Sequence, residues 1–244
     1  MELCIFNKIE DDLCIKGILE KDNVIVLRNI IEFSETEGVT SSAIKEYVAT
    51  RLANDDNILS RLAQAGKFIG DDLYRLAKFD IEQIYKKLFS TQIKYAPSGN
   101  PIGFSNGYVA SIRAITESKS AQELIEHYRK FGSGILAKYN AFRYDGELIG
   151  VSNTDDITFD SLVGIEYQKQ VLIDNTKAFV SGKAANNVLL FGDRGTGKSS
   201  SVKALLNMFC DDGLRIIEMP KHCIKDIPSL SKVLAESPNK YIIF

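Results

Sequence analysis

Histidine and cysteine are scarce, and their spacing excludes more than their number does. There are two histidines, His127 and His222, and four cysteines, Cys4, Cys14, Cys210 and Cys223. No cysteine pair has C-x-x-C spacing, so no zinc constellation is recognisable along the chain. Free thiols of this kind suit a reducing, cytoplasmic setting. Charge of one sign is not in excess either, since 30 Lys and Arg against 32 Asp and Glu give a net charge of -2. That argues against a strongly basic, nonspecific nucleic-acid surface and leaves a local patch open. Long apolar runs are missing. The most apolar stretch, 24–33, contains Arg28 and Glu32 and is far too short to span a bilayer. The opening Met1-Glu2-Leu3-Cys4 lacks the basic region of a secretory leader, and Asp11 and Asp12 interrupt the apolar pattern that follows. What is present, 45% hydrophobic and 25% charged residues over 244 positions, is the composition of a soluble globular chain. The length allows one large domain or two ordinary ones.

The most informative stretch is 186–210, NNVLLFGDRGTGKSSSVKALLNMFC. Gly192-Asp193-Arg194-Gly195-Thr196-Gly197-Lys198-Ser199 fits G-x-x-x-x-G-K-[ST], the P-loop pattern. Val188 to Phe191 is a continuous apolar run, as a strand buried on both faces of a parallel sheet requires. After Lys198, the residues Val202, Leu205, Leu206 and Phe209 share one helical face, and Gly213 supplies a left-handed stop. The motif is therefore expected at a strand-to-helix turn. Gly192, Gly195 and Gly197 lack a Cβ and let backbone N–H groups approach phosphate oxygens closely. A helix opening near Lys198 would aim its free N–H groups and positive dipole end at the same anion. Lys198, the one catalytic candidate, would reach the β- and γ-phosphates, and the Ser199 hydroxyl would hold Mg²⁺. Asp193, Thr196 and Ser200 complete the cradle. Arg194 reads first as a solvated loop charge, with a phosphate or subunit contact as the alternative.

Residues 1–153 read as mostly helical. Leu3–Leu19 and Val24–Phe33 lean to helices without excluding strands. Thr40 or Ser41 could cap a helix reaching about Leu52, with Ile44, Tyr47, Val48 and Leu52 on one side. A helical pattern runs from Ile58 to Ala77, and Asp80 with Gln83 looks like the capping pair of a further helix. Lys94 to Gly107 is rich in Pro and Gly and reads as a loop. Ser120 with Glu123 looks like a capping box, and Gly132 a stop, for a helix carrying His127. With no visible partner, His127 reads as a packed or exposed histidine, not a catalytic one. The polar run Ser152 to Asp156 is the preferred boundary between residues 1–153 and 154–244. Beyond it the pattern predicts a helix to about Val180, strands at Leu214–Glu218 and Tyr241–Phe244, and between them a helix with Pro228 in its first turn.

The segment Thr158 to Phe244 resembles the AAA+ branch of P-loop ATPases. Phe159-Asp160-Ser161-Leu162-Val163-Gly164 is similar to the stretch that precedes the P-loop strand in that branch and lines its adenine pocket, which places Leu162, Val163 and Gly164 near adenine. More closely, the chain resembles a bacterial ATP-binding family catalogued as domain of unknown function 815. The resemblance rests on 159–207, on DDGLRIIEM, on KYIIF and on FGSGILAKYNAFRYDGEL. It implies an α/β fold, a mostly helical N-terminal region followed by an incomplete P-loop core with a parallel sheet. It also implies that the Tyr241–Phe244 strand runs directly into the acidic Walker B residues. On that reading the 244 residues are a fragment lacking Walker B, the polar sensor, the arginine finger and the helical lid, and should hydrolyse ATP poorly, if at all.

Two functions follow as expectations. The first is a Mg-ATP-dependent ATPase, a motor or switch that remodels a partner protein or nucleic acid, with a homo-oligomer of the full-length protein left open. The second is a nucleotide-gated binding module in which turnover is incidental. No membrane association is expected.

Overall fold

Aspartates open the first helices. Asp12 accepts from the backbone N–H of Cys14 and Ile15 at the start of α1 (Leu13–Glu20), and Asp22 accepts from those of Val24 and Ile25 at the start of α2 (Asn23–Glu37). Each satisfies donors that the first helical turn leaves without a partner. The computed structural model describes residues 3–38, 42–89, 106–152 and 154–244. Thr40, Ser41 and most of the Lys94–Gly107 loop fall outside the described residues.

The chain forms two compact units, one reaching to Lys138 together with Glu236–Pro238, the other Tyr139–Ala235 with Asn239–Phe244. The first is helical. It continues with α3 (Ala43–Ala53), α4 (Ile58–Gln64), α5 (Asp71–Phe89), α6 (Asn106–Ser118), α7 (Ala121–Phe131) and the short α8 (Gly134–Lys138). One hydrophobic cluster, including Phe6, Ile15, Ile30, Leu52, Leu59 and Leu124, forms its core. Tyr47, Val48 and Leu52 are buried on the expected face of α3. Asp80 does not cap a helix. It lies within the unbroken α5, fully buried, and its carboxylate accepts from the N–H groups of Cys4 (3.0 Å), Ile5 (2.7 Å) and Phe6 (3.2 Å). A capping signature and a buried anchor use the same residue type, because both need a short carboxylate facing free N–H groups.

The second unit is mixed α/β. Strands β1 (Ala141–Tyr144) and β2 (Leu148–Val151) form a hairpin, and β3 (Leu214–Glu218) and β4 (Lys240–Ile243) complete a sheet of order β2-β1-β3-β4. The hairpin is antiparallel, with Ala141 opposite Val151 and Tyr144 opposite Leu148. The other pairs are parallel, Arg143 aligned with Glu218 and Ile217 with Ile243. Helices α9 (Glu166–Val180) and α10 (Lys198–Phe209) precede β3, and α11 (Ile227–Leu234) connects β3 to β4. Leu205, Phe209, Leu214 and Leu172 form one cluster, and Ala141, Val202, Leu206 and Ile216 another.

Two expectations about this unit are corrected. Val188–Phe191 is not a sheet strand. Leu189 and Phe191 are 84% and 87% exposed, and only Leu190 packs inward, against both clusters. An apolar run states that burial is favourable but does not name the ladder partner that would provide it. The stretch read as mostly helical up to 153 is, among the described residues, mostly helical to Lys138 and ends in the hairpin. Its signal was the Asp145-Gly146 turn, with Gly146 at φ 83, a conformation that favours glycine. The units accordingly divide at Lys138/Tyr139, ahead of the Ser152–Asp156 run. The described residues of that run are exposed, and Asp155 is pinned. Lys203 of α10 pairs with the Asp155 carboxylate, and Asn207 donates to the carbonyls of Asp155 and Ile157.

Candidate functional site

The P-loop is held at its two ends. On the entering side Asn175 of α9 clasps Asn186 reciprocally. Its amide donates to the Asn186 carbonyl at 2.9 Å and its carbonyl accepts the Asn186 N–H at 2.9 Å. No motif in the sequence points to this pair. On the leaving side α10 begins at Lys198, with Gly197 as its N-cap at φ 83 and no capping side chain. The first-turn N–H groups therefore face outward without a side-chain acceptor. Ser201 closes the turn from inside, its hydroxyl donating to the Gly197 carbonyl at 2.9 Å.

Between these ends the loop folds around one ammonium group. Lys198 Nζ donates to the carbonyls of Gly192 (2.9 Å) and Asp193 (2.7 Å). The Thr196 hydroxyl lies 3.4 Å from Nζ and itself donates to the Asp193 carbonyl at 2.9 Å. Gly192, Gly195 and Gly197 have φ of 141°, 87° and 83°. All three lie where a side chain is rarely tolerated, so the glycine spacing of the motif is a backbone requirement here. Asp193, Arg194, Gly195, Thr196 and Ser199 are exposed, and Ser200 is half-buried.

Leu162 joins this group from the N-terminal side. A Cβ built on Gly197 would lie 3.4 Å from Leu162 Cδ2, so the leucine borders the loop. Phe159, three residues earlier, is buried in the cluster with Leu205 and Phe209, which fixes the approach of the segment. Val163 and Gly164 are exposed, and Gly164 has φ 83. The structure thus brings Leu162 to the loop and leaves Val163 facing solvent. A separate cavity of about 130 Å³ lies beside the sheet, lined by Ala141, Val151, Leu206, Ile216 and Phe244 and rimmed by Arg143, Asp155, Lys203 and Glu218. None of the loop residues lines it.

Residues 137–244 match the model of a family described as Protein of unknown function (DUF815). The match starts just ahead of the hairpin and takes in the Asn175 clasp, the P-loop, α10 and the parallel strands. It supports the DUF815 family for this part of the chain, and that family's description names no activity. No curated protein and no solved structure gives a significant match. The DUF815 segment and the second compact unit nearly coincide, so the hairpin is part of the matched segment and not an appendage of the helical unit.

Histidine 127 belongs to the helical unit's interior. Its ring is buried, with Nδ1 2.9 Å from the Ser111 hydroxyl and ring centroids 5.3 Å from Tyr108 and 5.2 Å from Phe131. Burial lowers its pKa to about 3. It packs and does not titrate near neutral pH, in line with the packed reading.

Proposed function

We propose that the DUF815 unit binds Mg-ATP at the Gly192–Ser200 loop and belongs to the AAA+ type of P-loop ATPase. The observation that carries this is the lysine. An ammonium held, among the described residues, by loop carbonyls and a threonine hydroxyl, beside three glycines at positive φ and an uncapped helix start, is a group suited to receive an anion. When a nucleotide arrives, Lys198 exchanges carbonyl contacts for the β- and γ-phosphate oxygens, which are stronger, charge-assisted partners. The N–H groups at the start of α10 receive the phosphates, Ser199 offers its hydroxyl to Mg²⁺, and the Leu162-Val163-Gly164 segment flanks the adenine side. Mg²⁺ supplies charge neutralisation across the phosphates. Binding and release of nucleotide would then be coupled to movement of a protein or nucleic-acid partner. A reducing cytoplasm fits the free thiols.

Calorimetric titration tests this. A hydrogen bond to a charged group is worth about 1.5–3 kcal/mol, so Lys198→Ala should weaken ATP roughly 10- to 150-fold. Adenosine, which lacks phosphate, should bind the variant and the parent alike. Equal losses for the two ligands would remove the assignment.

A further inference from the structure

Two histidines and four cysteines without metal-ligand spacing give no metal site along the sequence. The sheet creates one. Strands β1 and β3 are parallel neighbours, with Arg143 aligned to Glu218, so the segments leaving their carboxyl ends emerge side by side. Ligand sites in parallel sheets form outside those ends. From β1 comes Asp145, the first residue of the hairpin loop. From β3, past the extended Pro220, comes a short 3-10 turn, Lys221–Asp226, that carries His222 and Cys223. Residues 77 and 78 positions apart thereby meet. His222 Nε2 lies 3.0 Å from Asp145 Oδ1, and Cys223 Sγ lies 3.7 Å from the same oxygen. All three ligand atoms fall within 4.8 Å of one another.

The two separations from the Asp145 oxygen are close to those a tetrahedral ion imposes, and the nitrogen and sulfur, within 4.8 Å of each other, are near enough to close on the same ion. Zinc at about 2.0 Å from nitrogen and oxygen and about 2.3 Å from sulfur sets its ligands roughly 3.3–3.6 Å apart. The trio needs adjustments of a few tenths of an ångström between the oxygen and its two neighbours. The donor set also discriminates. A thiolate and an imidazole with one carboxylate are soft and borderline ligands that suit zinc-type ions, whereas magnesium and calcium take oxygen. Access is favourable from one side only. Cys223 is 4% exposed and anchors the inner position, while the His222 and Asp145 side chains are 71% and 74% exposed. An ion could enter from solvent and keep a water as its fourth ligand. The competing reading is a surface His–Asp pair beside an inert cysteine. Such an exposed pair is worth little by itself, and the thiol's contact with the same oxygen is a weak S–H hydrogen bond that a bound ion would replace with a stronger one.

We propose that Asp145, His222 and Cys223 form a binding site for one zinc-type divalent ion with a fourth position open to water. Binding ties the hairpin tip to the segment between β3 and α11. The thiol proton leaves to solvent as the sulfur takes the metal, and an imidazolium proton does the same if one is present. The site lies outside the P-loop and does not depend on its nucleotide.

The test is cobalt titration of the chelator-stripped full chain, without nucleotide. Co²⁺ should bind at one equivalent, produce a thiolate-to-cobalt charge-transfer band with intense four-coordinate visible bands, and be displaced by Zn²⁺ but not by Mg²⁺. Cys223→Ser should abolish the charge-transfer band. His222→Gln and Asp145→Asn alter exposed side chains, leave the fold intact by circular dichroism, and should each weaken Co²⁺ by at least about tenfold, the lower bound for losing even an outer-shell partner. No band in the parent chain would overturn the proposal. So would a band that persists in Cys223→Ser, which would place the ion on Cys4, Cys14 or Cys210, or unchanged affinity in both exposed-ligand variants.

Discussion

His127 has lost nearly all contact with water, and the cost of charging it there is readable in how stability should depend on pH. Desolvation lowers its pKa from 6.5 to about 3. The folded state therefore resists a proton that the unfolded chain accepts. The stabilisation is fully present above about pH 6.5 and is lost as pH falls toward 3, because the unfolded state binds more protons in that window. Each pH unit should remove roughly 1.4 kcal/mol, before other titrating groups contribute. Comparing His127→Gln with the parent isolates the term. Urea midpoints followed by the helical circular dichroism signal should fall less steeply between pH 6 and about 4 in the variant, as expected from one missing proton. Parallel slopes would mean that the ring is already protonated or solvated. Nε2 has no protein partner among the described residues, so the site already carries one unsatisfied nitrogen and has little room for a second polar demand.

At the scale of elements, the apolar run ahead of the P-loop and the four-residue strands of the hairpin show how a sheet chooses its members. Val188–Phe191 carries a stronger strand pattern than Ala141–Tyr144, yet the hairpin is in the sheet and the run is not. The hairpin brings its own neighbour through a three-residue loop, so its closure cost is small, and Ala141 and Phe142 are buried once paired with β3. Hydrogen exchange separates the two cases. Amides of Leu189 and Phe191 should exchange with little protection, while those of Ile216 and Ile217, in the strand between β1 and β4, should be the slowest of the unit. Protection of Leu189 and Phe191 equal to that of Ile216 would show that the run holds a ladder partner in solution. Gly150 adds a steric condition on the hairpin, since a Cβ there would fall 2.2 Å from the Tyr139 ring.

Across the whole molecule the apolar residues gather into separate cores, one spanning Leu3 to Ala137 and two smaller ones formed by residues of the second unit. The two smaller cores share Leu190, but neither shares a residue with the helical core, so the two units are expected to lose their packing in separate steps. Scanning calorimetry should then resolve more than one transition. Mg-ATP should raise only the one assigned to residues 139–235, by about 2.7 kcal/mol when present at a hundred times its dissociation constant. A single transition, or a ligand shift of both, would show that the two units unfold as one.

Much of this was legible in the sequence because its causes are local. Gly192, Gly195 and Gly197 announce positive φ within one loop, and the Val202, Leu205, Leu206 and Phe209 spacing announces the buried face of α10 over about two turns. The strands Leu214–Glu218 and Lys240–Ile243 follow from short apolar runs bounded by turn residues, and Gly132 ends α7 as its position suggests. What the tertiary structure alone decided involves partners far apart in the chain. Asp80 serves N–H groups 74 to 76 residues away instead of its own helix, Asn175 grips Asn186, and Asp145 meets His222 and Cys223. The physical reason is the same in each case. A carboxylate or amide must satisfy its hydrogen bonds, but nothing in its immediate neighbours states which donor the folded chain will bring to it. Sheet membership is underdetermined for the same reason, since an apolar strand is satisfied by any ladder that covers it, and only the complete fold shows which ladder forms.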